Sequence, residues 1–228
     1  MKLLASAPGR ICLFGEHMDW CRRSVIPVAV DMRIFMLLKD ATGDIVRVDS
    51  HPPFTLHDQF DLRDFDPTGG DDLRYVRAVC RAMMNAGHRL PGCNIRLAKC
   101  GEVSRLTGEK GIVDLPAGRG LSSSAAVCVA AAGALGTLAN GIVEERKEFV
   151  PLTKIADIAY TAERKILGVN CGQMDQYASA LGNVLYMDCT TEPATPTFLR
   201  PNTILPLVIG DTKQSKDTPM ILAWLGER

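Results

Sequence analysis

Asp114-Leu115-Pro116-Ala117-Gly118-Arg119-Gly120-Leu121-Ser122-Ser123-Ser124-Ala125-Ala126 joins two alternate glycines, three serines and the start of an Ala-rich stretch. Glycines let the backbone adopt positive φ and come close to an anion. A helix start presents unpaired N–H groups and the positive end of the helix dipole. Together they make a phosphate cradle. The serine hydroxyls can cap the helix, bind phosphate oxygens or reach a metal ion. The same residues also suit a plain glycine turn before a capped core helix. The segment is not a Walker loop, since no Gly-Lys-Ser/Thr follows. It is not a dinucleotide fingerprint either, because Ser123 stands where the third glycine would be.

Around this loop the chain reads as strands first, then helices. Ile11 to Phe14 and Val25 to Leu38 are apolar and β-prone, and Ile45 to Val48 alternates as a further strand. Residues 49 to 70 hold Pro52, Pro53, Pro67, Gly69 and Gly70 and read mostly as loop. A helix follows, capped by Asp71 or Asp72, with Leu73, Val76, Val79, Cys80 and Met83 on one face and Gly87 at its end. Cys93 to Lys99 alternates as a strand, and the polar stretch 101 to 112 is expected as an exposed loop or hairpin. Ser122 to Ala139 is a tightly packed Ala-rich helix. Leu152 to Leu167 has helical spacing ended by Gly168, and Gly172 to Leu181 is a shorter helix. Val184 to Met187 and Leu205 to Ile209 read as strands. The irregular alternation predicts an α+β fold, not a regular βαβ array.

Two more segments concentrate polar chemistry. Ala7-Pro8-Gly9-Arg10-Ile11-Cys12-Leu13-Phe14-Gly15-Glu16-His17-Met18-Asp19-Trp20 sets a short apolar strand between glycines and then packs Glu16, His17 and Asp19 into four residues. Carboxylates accept paired hydrogen bonds, so the cluster suits a ligand with several hydroxyls, and it equally suits a charged surface turn. Arg10 can pair with a carboxylate or a phosphate. Further on, Asp175 falls in the first turn of the short helix, where the dipole favours a carboxylate whatever its role. Glu163, twelve residues earlier, reads by itself as a solvated helix charge.

Composition excludes other classes. Across 228 residues, 26 Lys and Arg balance 26 Asp and Glu, so no global field recruits nucleic acid or an anionic membrane. An apolar fraction of 46% supports a packed core, yet no apolar run is long enough to span a bilayer. The eight cysteines form no C-x-x-C pair and the four histidines no H-E-x-x-H, which favours reduced thiols in a cytoplasmic protein over structural zinc.

Three segments resemble one family. Pro116 to Ala126 closely resembles the ATP-binding P-x-x-x-G-L-S-S-S-A-A motif of the GHMP kinases, the superfamily of galactokinase, homoserine kinase, mevalonate kinase and phosphomevalonate kinase. The resemblance implies that Pro116, Gly118, Gly120, Leu121, Ser122, Ser123 and Ser124 bind ATP. Gly15-Glu16-His17-Met18-Asp19-Trp20 resembles the G-E-H-T-D-Y of galactokinases, which implies sugar-hydroxyl binding by Glu16, His17 and Asp19, with Arg10 beside the transferring phosphoryl group. Met174-Asp175-Gln176 resembles their M-D-Q, in which the Asp faces the hydroxyl to be phosphorylated. By the same match Glu163 and Ser124 would hold Mg²⁺. Mevalonate kinases share G-E-H but lack the following acidic residue and carry D-N in place of M-D-Q, so the resemblance is to a sugar kinase. Cys12, Met18 and Trp20 depart from the galactokinase Asn, Thr and Tyr, and Cys21-Arg22-Arg23 replaces a Gly-containing turn. These departures point to a sugar in general more than to galactose.

The implied fold is a ribosomal-protein-S5-domain-2-like ATP-binding domain over residues 1–200, then the start of a ferredoxin-like C-terminal subdomain over 201–228. The family's G-A-G-x-G-G motif is not found, which reads as an N-terminal piece, and Ser215 and Lys216 would lie near the active-site loop. The implied activity is ATP-dependent phosphorylation of a sugar hydroxyl, the anomeric one. Two alternatives stand beside it: a mevalonate-type alcohol kinase, and a non-catalytic ligand-binding galactokinase-like protein.

Overall fold

In the computed structural model, residues 2–50, 56–140, 150–203 and 206–210 are described. The 15-residue strand β2 (Ile26–Asp40) organises the sheet. β1 (Lys2–Phe14) runs antiparallel along almost all of it, from Lys2 opposite Lys39 to Phe14 opposite Ile26. β5 (Cys93–Ala98) pairs antiparallel with the C-terminal half of β2. β3 (Ile45–Asp49) adds to β5 in parallel, and β4 (His57–Asp61) closes that edge. A two-residue β6 (Val113–Asp114) lies parallel to Met32 and Arg33. β7 (Val184–Asp188) joins β2 where Val184 meets Val28 and carries β8 (Thr195–Leu199) on its outer side.

The strand period of two assigns the faces of β2. Met36 and Leu38 enter the main core with α1 (Arg74–Asn85) and α3 (Ser123–Asn140), whereas Phe35 packs with Ala98 and Val103. α3 contacts β1, β2, α1, α4 (Leu152–Tyr160) and α5 (Met174–Leu181). That central position explains its composition. A helix buried on every side has no polar face, and its small side chains let neighbours close in. A Cβ on Gly136 would meet Val150 Cγ2 at 2.9 Å. α1 is amphipathic: Val76, Val79, Cys80 and Met83 are buried, while Arg77 and Arg81 stack over Phe60 and Phe65 at 4.6 and 4.4 Å. Gly87 ends it, with His88 N–H reaching Met83 O at 3.1 Å.

The α+β class and most expected elements are observed, with several corrections. The polar stretch 101–112 holds a helix, α2 (Cys100–Thr107), where a loop was expected. Val103 is its one buried residue, so no apolar stripe announces it; Asp114 Oδ1 accepts the Cys100 N–H at 2.8 Å and fixes its start. β4 forms inside a stretch that reads as loop, because its buried Asp58 is paired with Arg77 and so hides a strand face behind a charge. β8 was not expected, being largely exposed. Neither Asp71 nor Asp72 caps α1 through its side chain; Asp71–Leu73 form a 3₁₀ turn that leads into it. The helix expected to Leu167 changes pitch: Thr161–Ile166 form a π turn, with Leu167 N–H bonded to Ala162 O at 3.0 Å. Residues 206–210 form no strand, and Leu205, Ser215 and Lys216 lie outside the described residues.

Asp58 receives Arg77 Nε and Nη2 at 2.6 Å each, nearly out of solvent. Asp58→Ala leaves that guanidinium without its carboxylate, with only the Asp66 and Gln59 carbonyls as acceptors, and is expected to cost about 3 kcal/mol in urea unfolding. Asp61→Ala, which removes the exposed partner of Arg63, is expected to leave the midpoint nearly unchanged.

Candidate active site

Arg10 joins three segments. A register shift between Pro8 and Arg10 interrupts the β1–β2 ladder and sends the Arg10 backbone N–H to Leu121 O at 3.1 Å. The guanidinium donates from Nη1 to Gly120 O at 3.0 Å and from Nε to Asp175 Oδ1 at 2.7 Å. Glu16 Oε1 lies 3.8 Å from Nη2. Burial acts to discharge the guanidinium, but the charges of Asp175 and Glu16 outweigh it and raise the pKa. Strand β1, the glycine loop and α5 therefore meet at one permanent cation. Ser179 Oγ donates to Pro8 O at 2.7 Å and holds α5 against the same irregularity.

The glycine loop has the backbone its composition called for. Gly118, Gly120 and Ser122 all take positive φ, at 68°, 74° and 61°. Ser122 then accepts the Ala126 N–H at 3.0 Å and starts α3. A side-chain residue held at positive φ is a strained choice that marks functional turns. The Ser122 hydroxyl is also buried without a hydrogen-bond partner. Pro116 is half-buried and Leu121 buried, and Gly118 to Gly120 are exposed on the approach to the helix. Ser123 and Ser124 occupy its first two positions. The arrangement is an open concave backbone before a helix N-terminus, able to take an anion.

Asp19 sits between the N-terminal turn and α5. Its Oδ2 accepts the Met174 N–H at 3.0 Å, so a residue 155 positions away caps the first turn of α5. Asp19 is buried, and burial followed by the charge of Asp175 raises its pKa; N–H bonds from Met174 and Trp20 pull the other way. Glu16 is more exposed, with His17 Nε2 3.8 Å from its Oε1. Glu16, Asp19, Arg10 and Asp175 thus form one polar group, with His17 on its edge.

Glu163 lies in the π turn, 2% exposed. Gln176 Nε2 donates to its Oε2 at 2.5 Å. Burial lifts its pKa to about 7 against the hydrogen bonds of Gln176 and Ser124, helped by the charge of Asp175. The structure joins Arg10, Glu16, Asp19, Gly120 and Asp175 in one set of contacts and sets Glu163 beside Ser124 and Gln176. It also adds three that sequence reasoning did not assign. Gln173 Oε1 accepts the Ala194 N–H at 2.9 Å, and Gln176 fixes Glu163. Gly172 is the third: a Cβ there would lie 2.0 Å from Asp19 Oδ2 and 2.7 Å from Trp20 N. The only hint in the sequence is a small residue just before M-D-Q.

Residues 74–183 match the GHMP kinases N terminal domain, and residues 2–39 match the galactokinase galactose-binding signature. The chain belongs to the GHMP kinase family. Within that family it stands with the galactokinase type: the galactokinase of Roseiflexus sp. (strain RS-1) is 34% identical over 194 residues, 82% of this chain and 43% of that protein. The chain thus spans less than half the length of that curated relative. The solved Lactococcus lactis galactokinase complexed with galactose matches with a TM-score of 0.68 at 22% identity, over 87% of this chain and 47% of its own. Methanococcus jannaschii mevalonate kinase matches at 0.66 and 16%, over 88% and 56%. At such identities these two structures establish the fold.

Two outcomes test this geometry. Gly172→Ala is expected to displace the Asp19 carboxylate, uncap α5 and lower stability by about 1–3 kcal/mol in urea unfolding. In metal-free buffer, between about pH 4.5 and 7, folded Glu163 keeps a proton that the unfolded chain releases. Stability therefore falls as pH rises through that window, by on the order of 3 kcal/mol. Glu163→Gln should remove this slope from a pH series of thermal melts.

Proposed function

We propose that the chain is the ATP- and sugar-binding part of a kinase that transfers the γ-phosphoryl group of ATP to a sugar hydroxyl, the anomeric one. The observation that supports this best is the Arg10–Asp175 pair at 2.7 Å, held at the mouth of the glycine loop through Gly120. Residues 1–200 would be the ATP-binding domain and 201–228 the start of the C-terminal domain of a cytoplasmic enzyme. Among the described residues no helix is long and apolar enough to cross a membrane.

The positions of the side chains support the following roles. Pro116, Gly118, Gly120, Leu121, Ser122 and Ser123 shape the cradle for the ATP phosphates. Glu16, His17 and Asp19 bind sugar hydroxyls, and the Glu16 and Asp19 carboxylates set the orientation of the ring. Asp175 orients the acceptor hydroxyl and takes its proton as the oxygen bonds to the γ-phosphorus and the bond to the β,γ-bridging oxygen breaks. Arg10 holds Asp175 and offsets charge on the transferring group. A loose phosphoryl-transfer transition state needs placement and charge neutralisation more than an early proton transfer, which suits a carboxylate held in place by Arg10.

Mg²⁺ fits the residues present. Ser124 and Glu163 offer hard oxygen donors, and a carboxyl buried without a cation is what a metal ion would stabilise. No group of three His, Cys, Asp or Glu able to hold a metal occurs among the described residues, so phosphate oxygens and water would complete the shell. When bound, the ion would neutralise charge on the β- and γ-phosphates.

Coupled ADP release over a panel of sugars, with mevalonate included, tests the reading. The expected result is turnover with a sugar and a fall of about 10²-fold or more in Asp175→Asn. Near-normal turnover in that variant removes Asp175 from the chemistry, and turnover with mevalonate alone overturns the sugar assignment. ATP and sugar binding without ADP release would instead favour a ligand-binding protein.

A further inference from the structure

Beside Asp19, on the side lined by neither Arg10 nor Asp175, lies a cavity of about 310 Å³. It shares Asp19 with the proposed sugar-binding residues, and Gly172 lines it as well. Its other walls come from the Trp20–Arg22 turn, the π turn and the loop after β7. Three cations line it: Arg22, Arg164 and Lys165. Two carboxylates oppose them, and both are engaged. Glu192 pairs with Lys165 at 3.2 Å, and Asp19 caps α5. Arg164 uses Nη1 alone, toward Asn170 Oδ1 at 2.5 Å and Val169 O. The Arg22 guanidinium has no hydrogen-bond or ion-pair partner among the described residues. Trp20 is also on the wall, and its indole N–H is buried without an acceptor among the described residues. Donors and positive charge gathered around a recess, without acceptors to match, are complementary to an anion, and a guanidinium fork suits a carboxylate or phosphate.

We propose that this cavity binds an anionic substituent of the acceptor sugar, so that the substrate is a sugar acid or a sugar phosphate. The inference rests on the sugar-kinase reading above and names the substrate class of that site. A sugar whose hydroxyls meet Glu16 and Asp19 would present its far end past Asp19 to Arg22 and Arg164. A neutral hexose would leave those cations facing water. The cavity volume lies at the lower end of small-molecule sites, enough for one charged group and part of a ring.

The chain has two tryptophans, Trp20 and Trp224. With Trp224→Phe, Trp20 emission reports the cavity wall alone. D-Galactose, D-galacturonate and D-galactose 6-phosphate are titrated in the presence of a non-hydrolysable ATP analogue. The expected result is at least tenfold tighter binding of one anionic sugar than of galactose, and which one distinguishes carboxylate from phosphate. Arg22→Gln combined with Arg164→Gln should erase that preference and leave galactose binding within twofold. Galactose bound as tightly as both anionic sugars overturns the anion subsite and spares the sugar-kinase reading. An anionic preference that survives in the double variant also overturns it. Binding of no sugar at all overturns both.

Discussion

Arg10 is the contact on which the site depends. A buried guanidinium is costly unless each of its faces meets an acceptor, and here the acceptors come from distant parts of the chain. Gly120 supplies a carbonyl, Asp175 a carboxylate, and Glu16 a second negative charge. Gly120 lies in an exposed loop, and Asp175 on a short helix that Asp19 and Ser179 also hold. The register shift in β1 is what releases the Arg10 backbone for Leu121. An irregular strand thus aligns the glycine loop with the start of α5, and Gly120 and Asp175 are held by one side chain.

Asp19 serves the architecture from within the polar cluster. Its carboxylate satisfies an orphan N–H of α5 while remaining beside Glu16 and Asp175. The chain accommodates this with Gly172, where any side chain would occupy the place of the carboxylate. A parallel arrangement surrounds Glu163. The π turn puts it in the interior, and Gln176 from α5 holds one oxygen. α5 thus contributes Asp175 outward and Gln176 inward from adjacent positions, which a helix allows because successive side chains point about 100° apart.

The glycine loop, the acidic turn after β1 and the helix bearing Asp175 are all legible locally, because each is a contiguous segment with its own turn chemistry. Alternation and helical spacing also mark β2, β3, β5, α1, α3 and α4, whose buried faces are apolar. What was illegible lacks such a face. α2 buries Val103 alone, β4 buries a charged Asp58, and β8 is mostly exposed. Glu163 read as a solvated charge, since nothing in its neighbours foretells a change of pitch in the helix that carries it.

The local chemical inventory is written in the sequence: a glycine- and serine-rich loop before a helix of small residues, a cluster of Glu16, His17 and Asp19, and a carboxylate at a helix start. These are properties of adjacent residues and their backbone preferences. Which of these groups meet is set by packing. The Arg10–Asp175 pair spans 165 positions and the Asp19–Met174 contact 155. No local pattern encodes such distances, because they arise from packing α3 and α5 against β1 and from the need to satisfy every charge that this packing buries. The cationic wall beside Asp19 is of the same kind, assembled by folding from a turn, a helix end and a loop that share no motif.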